Sequence, residues 1–315
     1  MIRLPQAWHE WNITEELGSG TSGSVYLAQK TSGEFSAVKV IRTPLRPDES
    51  ELLLMQKLQG CPYIVSIEDY CIEENDAGYT LYIRMERLHP LPETLEEKEL
   101  IKLGIHISSA LSYCEKMKIL HRDIKQANIL VSDSGIYKLC DFGVARGIPH
   151  ASDNLSIKGS YATRAPEVYW GRPYDHRADQ YSLAMVMYRL ANQGRDPFVE
   201  GDTFSEKEDS LRRRLKGDPI PPPPRAAEST AVATEAAISE ALSAILLKAL
   251  SYDKRDRFRT AARMRKALIQ CREGRYKTPR LLPWKRRLYY FLGAFSLVLL
   301  LILGHIYMYQ NNICM

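Results

Sequence analysis

No pair of cysteines in the sequence has C-x-x-C spacing, and none of the six (61, 71, 114, 140, 271, 314) has a histidine at zinc-site distance. Scattered thiols of this kind are expected to stay reduced in a cytosolic compartment and not to form a disulfide framework. An apolar leader is missing as well. Residues 1–11 are interrupted by Pro5, His9 and Glu10, which argues against a secretory signal. A net positive charge is missing from most of the chain. The net charge is +5, but residues 272–287 carry seven Lys/Arg against Glu273 alone, so the remainder is at about −1. A nucleic-acid surface needs its basic residues on the folded domain, and none is expected here. Long hydrophobic runs are absent before residue 288. What remains, 45% hydrophobic and 26% charged over 315 residues, is the composition of an ordinary globular domain with room for one small extra segment.

The chemistry is concentrated in residues 121–130, His-Arg-Asp-Ile-Lys-Gln-Ala-Asn-Ile-Leu. Asp123 and Asn128 lie five positions apart in a short polar turn between apolar segments, and Asp141-Phe142-Gly143 begins eleven residues beyond Leu130. Two carboxylates and an amide gathered in this way suit a divalent cation on a polyphosphate, with Lys125 beside the carboxylate that would accept a hydroxyl proton. Any one of these residues alone reads as a polar turn with an N-capping Asp. The combination H-R-D-x-x-x-x-N followed by D-F-G does not. On these residues the chain resembles the protein kinase family, and Lys125 resembles its serine/threonine branch. The resemblance implies an α+β, two-lobed fold over about residues 13–271. A small β-rich lobe (13–88) with one regulatory helix would be followed by a large, mostly helical lobe (89–271). It also implies ATP and Mg2+ as cofactors and protein substrates bearing Ser or Thr. Asp123 would then orient the attacking hydroxyl and take its proton, Lys125 would stabilise the transferring phosphoryl, and Asn128 and Asp141 would hold magnesium. Leu130 would floor the adenine pocket, and Arg122 would receive a phosphate from the downstream loop. Cys140 reads as buried filler.

In the first part of the chain, residues 13–17 and 24–28 read as strands joined by Gly18-Ser19-Gly20-Thr21-Ser22-Gly23. Glycines let backbone approach phosphate oxygens closely. With Val25 the pattern is G-x-G-x-x-G-x-V. A dinucleotide-binding turn would lead straight into a helix. Here the next residues are β-rich and another strand follows at 35–41, so a hairpin is expected. Lys39 lies within that strand, and an unpaired ammonium between apolar neighbours is costly. A helix expected over 47–58 carries both Glu49 and Glu51 as possible partners. The family's spacing selects Glu51. Strands are expected over 64–72 and 79–85, with an acidic, solvated hairpin tip at 73–78. By resemblance the ATP-binding set is Leu17, Gly18, Gly20, Gly23, Val25, Ala37, Lys39, Leu130 and the backbone of Glu86 and Leu88, with Met85 at the rear of the adenine pocket.

Further on, Thr94-Leu95-Glu96-Glu97 fits a capping box, and Leu100, Leu103, Ile107, Leu111 and Cys114 mark one face of a long helix. The segment from Asp141 to Ala165-Pro166-Glu167 resembles an activation segment, with Ser152 and Ser156 as candidate phosphorylation sites. Ser160 stands where the family usually has Thr, and Thr163 where it usually has an aromatic, which bears on peptide docking. By the same resemblance Asp179 should hydrogen-bond the catalytic turn's backbone, and Arg257 should pair with Glu167. Residues 219–224, proline except for Ile220, are expected to be a rigid surface connection. Ile238, Leu242, Ile245 and Ala249 mark a further helix.

Residues 288–309 contain one His and no formal charge. As a helix they would reach about 33 Å, enough to span a hydrocarbon core of about 30 Å. Tyrosines near both ends and the basic 285–287 before it predict a single-pass span with the catalytic domain cytoplasmic. Residues 272–287 would form a basic juxtamembrane linker facing the lipid bilayer, and 310–315 a short non-cytoplasmic tail too small to sense an external ligand. The expected activity is that of a membrane-anchored serine/threonine kinase. The alternative is a catalytically weak nucleotide-binding scaffold, which usually shows a substitution at the Lys or one of the two Asp residues. Lys39, Asp123 and Asp141 are all present. A small-molecule phosphotransferase is disfavoured by the glycine hairpin together with Ala165-Pro166-Glu167. The oligomeric state is not readable from the sequence.

Overall fold

Alternating apolar and polar residues make the first part of the chain an antiparallel sheet. In the computed structural model, residues 3–20, 23–47, 52–53, 56–142, 160–201, 203–224 and 238–278 are described. Residues up to Tyr276 form one compact unit, and of a second, starting at Lys277, only Lys277 and Thr278 are described. The sheet consists of β1 (Trp11–Gly20), β2 (Gly23–Lys30), β3 (Phe35–Thr43), β4 (Ile67–Asn75) and β5 (Gly78–Glu86), in the order β1-β2-β3-β5-β4. The glycine segment is the β1–β2 hairpin, as its β-rich surroundings predict. Gly23 has φ +110, and a Cβ there would lie 2.5 Å from the Val40 carbonyl oxygen, so only glycine fits.

Two boundaries differ from the sequence pattern. β4 starts at Ile67, not at 64, because the large lobe claims the preceding backbone. Leu139 donates to the Tyr63 carbonyl at 2.9 Å and accepts from the Val65 N–H at 3.0 Å. The acidic tip is also tighter than 73–78. β4 continues to Asn75, whose Oδ1 accepts the Ala77 N–H at 2.9 Å and closes the turn.

A second, three-stranded sheet joins β6 (His89–Pro90), β7 (Ile129–Val131) and β8 (Tyr137–Leu139). The helices are α1 (Glu97–Lys116), α2 (Ser160–Thr163), α3 (Pro166–Tyr169), α4 (Arg177–Ala191), α5 (Phe204–Lys216), α6 (Glu240–Ala249) and α7 (Ala261–Arg272). The described residues 52–53 and 56–57 are helical, within the span where a helix was expected. α1 buries all five residues of its expected face. Its N-terminus is a correction. Glu96, not Thr94, is the N-cap, and no side chain caps it. The Glu97 carboxylate that would have closed the box instead accepts from Ser239 N and Oγ, at 3.0 and 2.5 Å. Ser239 is itself the N-cap of α6. A tertiary partner outbids the local one.

α4 is buried on nearly every side, as a helix at the centre of a lobe must be. It packs against α1, which also packs against α7. Gly104 marks the crossing: a Cβ there would lie 2.7 Å from Met187 Cε and 2.9 Å from Leu268 Cδ1. In the proline stretch, Ile220 packs on the core and Pro223 is buried, while Pro219 and Pro222 are exposed. That three-residue alternation fits a polyproline strut lying on the surface.

At the other extreme of the chain, residues 3–10 fold back over the sheet. Trp8 is buried in a small cluster with Ala28, Val38, Val40 and Tyr82, separate from the main core.

Candidate active site

The catalytic turn lies between α1 and β7, and Asp179, in the first turn of α4, holds it in place. Its Oδ2 accepts from His121 N at 2.9 Å and its Oδ1 from Arg122 N at 3.0 Å. The hydrogen-bonding role expected of Asp179 is therefore observed. Those bonds hold Arg122 at φ 68, a left-handed conformation that costs a non-glycine residue energy. His121 Nε2 donates to the Cys140 carbonyl at 2.9 Å while its Nδ1 accepts from Asp123 N at 3.3 Å, the pattern of a neutral ring. Burial pushes this imidazole below its ordinary 6.5. Burial likewise pushes the Asp179 carboxyl above its ordinary value, against the pull of His121 and the two backbone N–H donors.

The polar side chains gather around this frame. Lys125 Nζ is 2.9 Å from Asp123 Oδ2, and Asn128 Nδ2 donates to Asp123 O at 2.8 Å and to its Oδ2 at 3.2 Å. Cys140 N donates to the Asn128 carbonyl at 3.0 Å, which ties the residue before Asp141 to the turn. Asp141, at φ 60, accepts from Lys39 Nζ at 2.9 Å across the two lobes. The structure thus brings Lys39, Asp123, Lys125, Asn128 and Asp141 to one place. Among the described residues the partner of Lys39 is Asp141. Glu51, the expected partner, lies outside the described residues, as do Ser152 and Ser156, Gly143, and the whole of 288–309.

Above the cleft, Val25 and Ala37 flank Lys39 in register, with Val25 opposite Lys39 and Ala37 opposite Met85. Gly18 and Gly20 have nothing within 4 Å of an added Cβ, so their backbone faces open space. Leu17 is exposed, Leu88 is buried and Leu130 is half-buried against the main core. The donor set fits the expected ligands. Oxygens of Asp141 and Asn128 suit a hard cation, and magnesium on nucleotides needs only one or two protein ligands beside phosphates and water. Among the described residues no cluster of three or more His, Cys, Asp or Glu gathers.

Three contacts were not legible in the sequence. The Glu86 side chain pairs with Lys138 at 2.7 Å and accepts from Ser66 N at 2.7 Å, so the end of β5 is tethered to β8. Thr163, in the place of an aromatic, is buried and donates from Oγ1 to the Ile124 carbonyl at 2.8 Å. This joins the end of the activation segment to the catalytic turn. Arg122, whose side chain is exposed, lines a small open pocket with Arg164, Val168 and Tyr174. Arg257 pairs in two-pronged fashion with Glu167, at 2.6 and 2.8 Å, as expected. Cys140 is buried, which pushes its thiol up to about 12.

A two-lobed frame with an Asp–Asn turn facing a Lys–Asp pair defines a phosphotransferase architecture, and the comparisons with known proteins agree. Residues 11–269 match the protein kinase domain, and the chain belongs to that family of ATP-dependent phosphotransferases. Serine/threonine-protein kinase PknB of Mycobacterium leprae is 30% identical over 292 residues, covering 87% of this chain and 45% of the relative. Its namesake in Mycobacterium tuberculosis is 31% identical over 283 residues, 84% of this chain and 43% of the relative. Serine/threonine-protein kinase 36 of Pongo abelii is 33% identical over 205 residues, 62% and 16% respectively. This chain therefore spans less than half the length of the PknB relatives it matches.

Proposed function

We propose that this chain transfers the γ-phosphoryl group of ATP to serine and threonine hydroxyls of proteins. The observation that carries the reading is the convergence of the Lys39–Asp141 pair with the Asp123–Lys125–Asn128 turn. Phosphoryl transfer asks a protein mainly for positioning and counter-charge. Lys39 binds and orients the phosphates, under the glycine hairpin. Asn128 and Asp141 would hold magnesium, which when bound would supply positive charge to offset that of the phosphates. Asp123 orients the substrate hydroxyl and accepts its proton as the new O–P bond forms and the bond to the β-phosphate oxygen breaks, releasing ADP. Lys125 offsets charge on the moving phosphoryl. Val25, Ala37, Leu17 and Leu130 enclose the adenine, and the backbone of Glu86 and Leu88 meets its edge. Glu51 serves as a second partner of Lys39, and phosphate on Ser152 or Ser156 docks at Arg122.

The test is label transfer from radiolabelled ATP to a protein substrate by the full-length chain. Asp123→Ala is expected to lower kcat by about 10²–10⁴-fold. Asp141→Asn and Lys39→Met should reduce transfer to background. Wild-type rates in these variants would remove the site assignment.

The same proposal places the enzyme at a membrane through residues 288–309, with the catalytic domain on the cytoplasmic side. Support comes from the uncharged apolar run and the basic 285–287 before it. Among the described residues no helix is long and apolar enough to cross a membrane. Alkaline extraction of membranes is the check: release of the full-length chain into the soluble fraction refutes the anchor.

A further inference from the structure

Residues 3–10 precede the region matched to the family, yet they are firmly fastened. The Trp8 side chain is 4% exposed, and its Nε1–H donates to Asp69 Oδ2 at 2.8 Å. Its ring meets Tyr82 edge-on, and the Arg84 guanidinium lies over both Trp8 and Trp11, 5.6 and 4.8 Å from their centroids. The Tyr82 hydroxyl donates to the Arg3 carbonyl at 3.4 Å, and Leu4 packs on the same cluster. One short segment therefore touches β4 through Asp69 and β5 through Tyr82 and Arg84.

Beneath it lies the outer side of β3. Side chains alternate along a strand, so Ser36, Val38 and Val40 point away from the face that carries Ala37 and Lys39. In register they pair with Glu86, Arg84 and Tyr82. The outer face of an antiparallel sheet commonly meets water. Here Ser36, Val38 and Val40 are 1%, 0% and 2% exposed. Ser36 Oγ donates to Glu68, which pairs with Arg84. Every outward residue of this stretch is thus held under, or linked to, the Trp8 cluster, and the inward residues alternate with them.

We infer that Trp8 is a positioning residue for nucleotide binding: the N-terminal segment clamps the outer side of β3 and so fixes where Lys39 and Ala37 stand over the cleft. This rests on the assignment of Lys39 to the phosphates. Removing the indole frees β3 to shift, and a misplacement of about 1 Å is enough to weaken a positioned contact severely. The effect should fall on ATP and spare the turn at Asp123, which Asp179 holds separately.

The experiment compares full-length wild type with Trp8→Ala and Trp8→Phe, measuring kcat and the KM values for ATP and for a peptide. Trp8→Ala is expected to raise the KM for ATP about five- to tenfold, with kcat and peptide KM within about twofold. Trp8→Phe should recover most of the loss. A fall in kcat at unchanged KM for ATP, as a smaller folded fraction would give, overturns the inference. So does a phenylalanine variant no better than the alanine one. If Trp8→Ala is not recovered folded, Asp69→Ala leaves the ring in place and removes the indole's acceptor, together with the exposed bond from Tyr70 N: a raised KM for ATP supports the inference and an unchanged one overturns it. Lys39→Met separates the two claims. Full activity in that variant sinks the phosphate assignment, whereas an inactive Lys39→Met beside an unaffected Trp8→Ala sinks only the clamp.

Discussion

Replacing Asp179 by alanine tests the frame on which the catalytic turn depends. The substitution leaves the His121 and Arg122 amides without their acceptor, in a place where Asp179 is 5% exposed and water has little access. Each buried donor left unsatisfied costs about 1–3 kcal/mol, so the pair amounts to about 2–6 kcal/mol. Some of that returns, because Arg122 can leave its left-handed conformation, and such a conformation stores about 1–3 kcal/mol. The net loss expected is about 1–3 kcal/mol in urea unfolding, a sizeable part of a typical stability of about 5–15 kcal/mol. Relaxation of Arg122 carries Asp123 with it, and kcat should drop about 10²-fold. The Lys39–Asp141 contact comes from β3 and the residues just past β8, so the KM for ATP should change far less. Asp179→Asn keeps one acceptor oxygen and should cost about half as much stability. The reasoning fails if Asp179→Ala loses less than about 1 kcal/mol and keeps wild-type kcat, because the two bonds would then not be holding the turn.

Glu167→Ala leaves the Arg257 guanidinium, whose side chain is fully buried, without its carboxylate. Unfolding by denaturant should show a loss of about 3–5 kcal/mol, and a loss below about 1 kcal/mol refutes the buried-pair argument. Cys140 and Cys114, both pushed up to about 12 by burial, should resist alkylation by iodoacetamide at pH 8 in the native state, and rapid labelling of either would show that its site is open. His121 is held below its ordinary 6.5, so the unfolded chain takes up its proton first as pH falls below 6.5, and stability should decline with it. A His121→Gln variant should show a flatter pH dependence of urea midpoints between pH 7.5 and about 5.5, and an identical slope in both proteins contradicts the reading.

The residues gathered in the cleft were legible because their chemistry demands short, fixed spacings: Asp123 to Asn128 within one turn, and Asp141 two residues past the end of β8. Asp179 and the Arg257–Glu167 pair were reachable only by family resemblance, since nothing local announces a partner 58 or 90 residues away. The capping box at Thr94 shows the opposite failure. Its local pattern is complete, but Ser239, 142 residues on, captures the Glu97 carboxylate. The start of β4 was misplaced for a similar reason, since Leu139 takes the backbone of 63–65 for the other lobe. Trp8 gave no signal at all, because a single aromatic in a short polar stretch has no periodicity to read. The Glu86–Lys138 tether is also invisible from either residue's neighbours.

The crossing at Gly104 also bears on how the large lobe can change over evolutionary time. With a single hydrogen at Gly104, the ends of the Met187 and Leu268 side chains come in directly against the α1 backbone. An added methyl at that point must displace those two side-chain ends, and the turn bearing Asp123 follows the helix they pack against. Variation along this chain should therefore accumulate in its straps and loops, while Gly104 changes only together with Met187 and Leu268.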